Sequence, residues 1–217
     1  MKHCIVETGR PSWRPVFVLA AAFGLCGCGI HVKRTGTLPC YARLSDHPHI
    51  ARAYCPEGRL LSDYKTLYLK GVQPAGRVAP SDEHVEHYQQ FLMRRIRAGL
   101  RRLRKFDVIT TDPDCLNPDR GDARIAQLQV FITYLDEGRG LARYVLGFEA
   151  GSVDVQIEGS LTDARTGDVL IEFADRQRYA GNPYQGLNPT VVMAVPLVEK
   201  VLVRQAYAIV KLFRSRP

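Results

Sequence analysis

The sequence predicts an α+β fold: a single domain in which a small, mostly antiparallel sheet packs against two helices. Three patterns carry that expectation. Between Ser81 and Lys105, apolar residues recur at three- and four-residue spacing. Between Arg124 and Ala174, segments alternate with the two-residue period of half-buried strands, and two of them flank a tight polar turn. From Val191 to Phe213 a second helical pattern is apolar around most of its circumference.

The chain opens on an export signal. Lys2, Arg10 and Arg14 precede the apolar run Val16-Phe17-Val18-Leu19-Ala20-Ala21-Ala22-Phe23-Gly24-Leu25. That run is roughly half of the about 20 residues a membrane-spanning helix needs. A cationic start, a short apolar middle and small residues at the cut mark a cleavable signal rather than a permanent anchor. Leu25-Cys26-Gly27-Cys28 resembles the bacterial lipobox. The resemblance implies cleavage after Gly27 and lipidation of Cys28, whose thiolate is the nucleophile that accepts the lipid. The alternatives are a plain signal with Cys28 incidental, or lipidation at Cys26, which sets Phe23 where Leu is usual. Residues 1–27 are therefore set apart as signal, leaving about 190 residues, enough for one domain of ordinary size. Gly29 stands where an inner-membrane retention Asp would stand, so the usual sorting rule points to the outer membrane, with the domain facing the periplasm.

Residues 28–63 read as a lipidated tether and irregular segment, broken by Pro39, Pro48 and Pro56. Cys40 and Cys55 are the expected disulfide. It would close a loop of about 15 residues, worth about 3 kcal/mol in the chain-entropy model, with Cys115 left single. Metal binding by Cys40, His47, His49 and Cys55 is the alternative, although the spacing matches no common zinc pattern.

The α+β domain proper is expected over residues 64–217. Thr66–Val72 reads as a strand, ended by Pro74 and Gly76. The helix that follows has Ser81 as N-cap and Asp82, Glu83 and Glu86 in its first turn, where the dipole favours anions. Val85, Tyr88, Leu92, Ile96, Leu100 and Leu103 form its buried face. Arg94, Arg97, Arg101, Arg104 and Lys105 form a cationic outer stripe: either a solvated face that complements the dipole, or a contact for an acidic partner or anionic membrane. Phe106–Thr111 and Arg124–Leu135 read as strands. Val153–Ala164 alternates strictly, with Val153, Val155 and Ile157 on one face and acidic and amide residues on the other. Arg165-Thr166-Gly167-Asp168 is a hairpin turn, after which Val169–Ala174 pairs back. In the last helix Val203 and Val210 belong to an apolar surplus expected to meet another envelope protein or a second copy, with cover by lipid or by residues 29–63 as the alternatives.

The formal net charge is +8. Nucleic acid is the usual partner for a basic chain, but an exported chain does not meet it, so none is expected. Membrane head groups, lipopolysaccharide or cell wall are the alternative counter-charges, and a solvated surface is the bland one.

Leu141-Ala142-Arg143-Tyr144-Val145-Leu146-Gly147-Phe148-Glu149-Ala150-Gly151, together with Leu161-Thr162-Asp163-Ala164-Arg165-Thr166-Gly167-Asp168-Val169-Leu170, resembles the bacterial lipoprotein family known as domain of unknown function 4410. Gly99-Leu100 and Lys105-Phe106-Asp107-Val108 stand at the corresponding helix exit. The resemblance covers about residues 64 to 215. It implies an envelope location and this fold, and no biochemical activity comes with it. The Cys-bearing N-terminal insert and the apolar C-terminal helix depart from the family pattern.

No catalytic constellation emerges. The loop from Gly138 to Gly151 lacks the Gly-Lys-Ser/Thr of a phosphate-binding loop and leads into a strand. Its glycines serve backbone turns, although Arg139 and Arg143, with Gly147 and Gly151, are the candidates for an anion or ligand. His84 and His87 lie one turn apart beside Glu83, as metal ligands or as a solvated first turn. Asp154, Glu158, Asp163, Asp168 and Glu172 are expected as exposed partners of arginines, with nothing pairing them as acid and base. The expected role is a non-enzymatic binding or assembly module without cofactor. The alternative is a periplasmic small-molecule or glycan-binding domain built on the glycine loop.

Overall fold

The computed structural model describes residues 31–78, 84–116, 124–138, 152–179 and 194–216. The α+β class and the two helices are as expected. One sheet contains β1 (Ser45–His47), β2 (Ile50–Tyr54), β3 (Thr66–Pro74), β4 (Val108–Thr110), β5 (Ile125–Asp136), β6 (Val153–Asp163) and β7 (Val169–Tyr179), flanked by α1 (Val85–Leu103) and α2 (Ala194–Arg214). The strands lie in the order β1-β2-β7-β6-β5-β3-β4.

The sheet is larger than expected, and it is mixed rather than mostly antiparallel. β3 runs parallel to both β4 and β5, with Thr66 opposite Val108 on one side and Ile125 on the other. The cause is α1. Parallel neighbours need a long crossover, and the helix between β3 and β4 supplies it. From β5 onward the chain meanders antiparallel through β6 and β7. Both edge strands, β1 and β4, are only three residues long, which blunts edge-to-edge pairing.

The segment expected to be irregular contributes two of the seven strands. β1 and β2 form a hairpin, and β2 pairs with β7 through Arg52 opposite Ala174 and Tyr54 opposite Glu172. Cys40 and Cys55 are free thiols, so the expected disulfide is absent. Continuing the hairpin register outward from Ser45–Ala53 sets Arg43, not Cys40, opposite Cys55. Cys40 lies beyond it, at the start of a short 3₁₀ turn (Tyr41–Arg43). Strand pairing gives this segment the order that was assigned to a covalent staple.

Both helices cover one face of the sheet. Val153, Val155, Ile157 and Leu161 of β6 are completely buried beneath them. Gly159 holds the same row, because a Cβ there would stand 2.5 Å from the Phe173 ring and 2.7 Å from the Gln129 carbonyl. α1 buries Val85, Tyr88, Phe91, Leu92, Ile96 and Leu100. It ends in a left-handed cap at Arg104, φ 54°. The helix begins at Val85 with His84 at its N-cap and Glu86 as the acid of its first turn, so the expected cap Ser81, with Asp82 and Glu83, precedes the helix and lies outside the described residues. α2 is fixed to the sheet by Gln205, whose buried amide donates to the carbonyls of Val155 (3.1 Å) and Asp175 (3.3 Å).

The two helices lie side by side and run the same way. His87 meets Glu199 near their N-termini, Gly99 meets Val210 in their C-terminal halves, and the Lys105 ammonium donates to the Arg216 carbonyl just past their C-termini. This contact absorbs most of the apolar surplus of α2. Val210, expected on a partner surface, is buried against Gly99 of α1. Val203 and Tyr207, one turn apart, are the large apolar side chains of α2 left exposed.

The helix contact predicts the behaviour of Gly99→Ala. The added methyl would lie 2.4 Å from Val210 Cγ2, and a valine in a helix has little rotamer freedom with which to retreat. The substitution is expected to cost about 1–3 kcal/mol through overpacking, despite the ~1 kcal/mol that alanine gains over glycine in a helix. Adding Val210→Ala should relieve the clash. Urea melts of the single and double variants check this; a stabilised Gly99→Ala would contradict the close approach.

Candidate functional site under the N-terminal strap

Residues 31–44 cross the face of the sheet opposite the helices. On β6 the residues alternate with the helix-facing row, so Asp154, Gln156 and Glu158 point to this second face. Asp154 and Glu158, like Glu172, were expected to be exposed. Instead, Glu158 and Gln156 are completely buried, and Asp154 and Glu172 nearly so. The strap covers them because its polar groups match theirs. Gln156 forms a two-way amide bond with the backbone of Lys33, accepting at Oε1 (2.7 Å) and donating from Nε2 (2.7 Å).

Glu158 is the centre of the arrangement. Its carboxylate accepts from Thr35 Oγ1 (2.8 Å), Tyr41 OH (2.5 Å), Thr133 Oγ1 (3.2 Å) and Gln156 Nε2 (2.7 Å). No cation pairs with it among the described residues. The Tyr41 hydroxyl in turn accepts from the N–H groups of Thr35 and Leu38, which fixes a turn of the strap above the carboxylate. Two arginines bind the flanking acids. Arg43 grips Glu172 through both Nε and Nη2, and this hydrogen bond raises the guanidinium pKa. Arg176 grips Asp154 in the same two-pronged way, while Arg178 reaches it at 3.2 Å. Such paired forks are the strongest form of guanidinium–carboxylate contact. A small apolar cluster of Leu38, Leu44 and Ala174, joined by Val32, Tyr41 and Tyr54, seals the strap beside them.

The expected partnership with arginines is therefore present for Asp154, Glu172 and Asp168, and not, among the described residues, for Glu158 or Asp163. Asp168 meets Arg59 in the open (2.7 Å). Asp163 organises the β6–β7 hairpin: its Oδ1 accepts from the N–H groups of Arg165 and Thr166. Gly167 completes the turn at φ 75°. Tyr64 donates to Asp163 at 2.8 Å. Burial, and then that bond, push the Tyr64 phenol up to about 12. Burial alone would raise Asp163, but donation from Thr166, Tyr64 and Arg165 outweighs it and holds the carboxyl below its ordinary value. Asp175, on the helix side, accepts from Ala51 N–H (3.1 Å) and Gln177 Nε2 (2.8 Å), and burial raises its pKa.

The other candidates fall elsewhere. Cys28, Arg139, Arg143, Gly147 and Gly151 lie outside the described residues. Arg94 and Arg101 are exposed on α1 and Arg97 is half-buried; none has a carboxylate partner among the described residues. His84 and His87 face different carboxylates, Glu137 at 3.3 Å and Glu199 at 2.8 Å, and Glu83 is not described. Among the described residues, no three His, Cys, Asp or Glu converge to hold a metal. The sequence signal for the buried row was its register: Asp154 stands directly opposite Arg178 and Gln156 opposite Arg176. What the alternation could not reveal was the covering strap.

Residues 86–182 match the family model described as Domain of unknown function (DUF4410), so the resemblance read from the sequence is shown over that span. A comparison with curated proteins finds no match. Among solved structures, the PelC dodecamer from Paraburkholderia phytofirmans is 17% identical, with a TM-score of 0.38, covering 70% of this chain and 94% of that one. A minor lipoprotein from Acinetobacter baumannii is 11% identical, with a TM-score of 0.29, covering 69% of this chain and 94% of that one. Likenesses at these scores carry no argument about fold or role.

Two outcomes follow from this chemistry. Arg43→Ala strands Glu172, which is 1% exposed, and is expected to cost about 3 kcal/mol. Arg43→Ala with Glu172→Gln should cost less than the sum of the singles, and a double-mutant cycle on urea melts measures the coupling. Asp175 has a folded pKa above its unfolded one, so its contribution is fully present below the unfolded value of about 3.9 and is lost as pH rises through the folded pKa. Asp175→Asn should therefore raise the melting temperature at pH 8 and change it much less at pH 4; the reverse pattern would contradict the assignment.

Proposed function

We propose that this protein is a lipoprotein of the cell envelope, anchored through Cys28 to the outer membrane and facing the periplasm. Its domain acts as a non-enzymatic module for binding or assembly. One observation carries the reading: Leu25-Cys26-Gly27-Cys28 closes a short apolar run behind a cationic start, three residues before His31, where the strap is fastened to the sheet. In this reading residues 1–27 are the signal and the lipid is the anchor. Among the described residues, no helix is long and apolar enough to cross a membrane.

Support for a binding or assembly role comes from how the side chains are spent. Asp154, Glu158 and Glu172 are taken up by partners within the chain, which makes the row a structural lock rather than reacting groups. On the surface, Arg94, Arg95, Arg101, Arg102 and Arg104 of the α1 region are exposed, as are Val203 and Tyr207 of α2. A cationic helix face beside a small apolar step suits an acidic macromolecule or a second copy of the chain.

Replacing Cys28 by Ala should leave full-length precursor and abolish labelling by a fatty-acid probe. Unchanged labelling of that variant would overturn the anchor. Sucrose-gradient fractionation of the wild type should place it with the outer membrane.

A further inference from the structure

The strap fixes where an anchor at Cys28 would hold the domain, so this inference rests on the lipoprotein reading. Three residues of extended chain reach at most about 11 Å, only a little more than the ~5–8 Å of one head-group layer. The His31 carbonyl accepts from Arg176 Nη1 at 3.0 Å. The end of the sheet where β5 and β7 finish and β6 begins is thus tied close to the bilayer.

That end carries the chemistry of a membrane interface. The Tyr134 ring lies 3.9 Å from Lys33 Nζ and 5.3 Å from Arg176 Cζ. The Tyr179 ring lies 5.8 Å from Lys200 Nζ and 5.2 Å from Arg204 Cζ. One tyrosine stands on the strap side of the sheet and the other on the helix side, each between two cations. Ring contacts position these cations without neutralising them. Lys33, Arg34, Lys200 and Arg204 have no carboxylate partner among the described residues. The acids at this end are mostly engaged: Asp154 by Arg176 and Arg178, Glu199 by His87, and Glu137 by Tyr88 and His84. Asp136 accepts from the Gly138 N–H. Tyrosine with Lys and Arg is the composition that settles at head-group level.

We infer that this end of the sheet rests on an anionic bilayer, with Lys33, Arg34, Lys200 and Arg204 against lipid phosphates and Tyr134 and Tyr179 at head-group depth. The domain stands on the membrane by its strand ends and does not swing free on a tether. Arg101 and Arg102, in the last turn of α1, lie at the other end of the helix pair and face away.

The test uses the processed full protein in vesicles of phosphatidylcholine, with or without phosphatidylglycerol, and a lipid probe photoactivatable in its head group. Cross-links should concentrate on peptides containing residues 31–34 and 200–204, and only when phosphatidylglycerol is present. Removing a cation should lower their yield about fivefold, the weight of one charge near an anionic leaflet. Arg34→Gln, Lys200→Gln and Arg204→Gln together should abolish them. An equal loss of charge on the other surface, by Arg94→Gln, Arg101→Gln and Arg102→Gln, should leave them unchanged. Evenly spread cross-links, equal losses in both triple variants, or no links at these peptides would overturn the inference. Intact mass scores the anchor separately. Acylated protein without these cross-links refutes the surface and keeps the anchor. Unacylated protein that still gives them refutes the anchor and keeps the surface. Should the first triple variant unfold, the wild-type cross-link map decides alone.

Discussion

A completely buried carboxylate that meets no cation among the described residues must be surrounded by other donors, and Glu158 imposes that demand on one whole face of the sheet. Leaving a buried charge short of hydrogen bonds costs several kcal/mol. Four donors from three elements satisfy it: Thr35 and Tyr41 in the strap, Thr133 in β5 and Gln156 in β6. The strap therefore has one position on the sheet. The fork of Arg43 on Glu172 and the bond from Arg176 Nη1 to the His31 carbonyl hold it there from either side. The face works as a polar core: it selects a unique arrangement, while the apolar face beneath the helices supplies the drive to fold.

The helix layer follows a different rule, that of close approach. Gly99 lets α1 come near enough for Val210 to fill the space where a Cβ would stand. Because α1 and α2 run the same way, their dipoles point together, and unfavourable charge would gather at both ends of the pair. The side chains answer it. Arg101, Arg102, Arg104, Lys105, Lys211, Arg214 and Arg216 cluster about the two C-termini, and Glu137 and Glu199 lie by the N-termini. Much of the positive charge of the chain is in this sense an answer to helix orientation.

What the sequence disclosed, and what it withheld, divides along local and non-local lines. Periodicity, β-forming composition and turn residues located α1, α2, β3 to β7 and the turn between β6 and β7, since each is set by residues near in the chain. The parallel pairing of β3 was also written there, as strand, helix, strand, but alternation in the later strands weighted the expectation toward an antiparallel sheet. β1 and β2 were hidden by Pro48 and Pro56, which bracket a strand of five residues too short for a pattern. For the candidate site, the identities of Asp154, Glu158 and Glu172 were legible and their burial was not. Alternation says which residues share a face; it does not say what covers that face. The strap residues that cover Glu158 and Glu172 are more than a hundred residues away.

That separation has a consequence for timing. The bonds that fasten the strap span 117 to 145 residues of chain. The strap is made first and secured last, because β6 and β7 must exist before Thr35, Tyr41 and Arg43 have anything to hold. Throughout that interval Glu158 and Glu172 stand without the donors that residues 35–43 bring them. Docking of the strap is what takes these carboxylates out of water, so the polar face is the last part of the sheet to close.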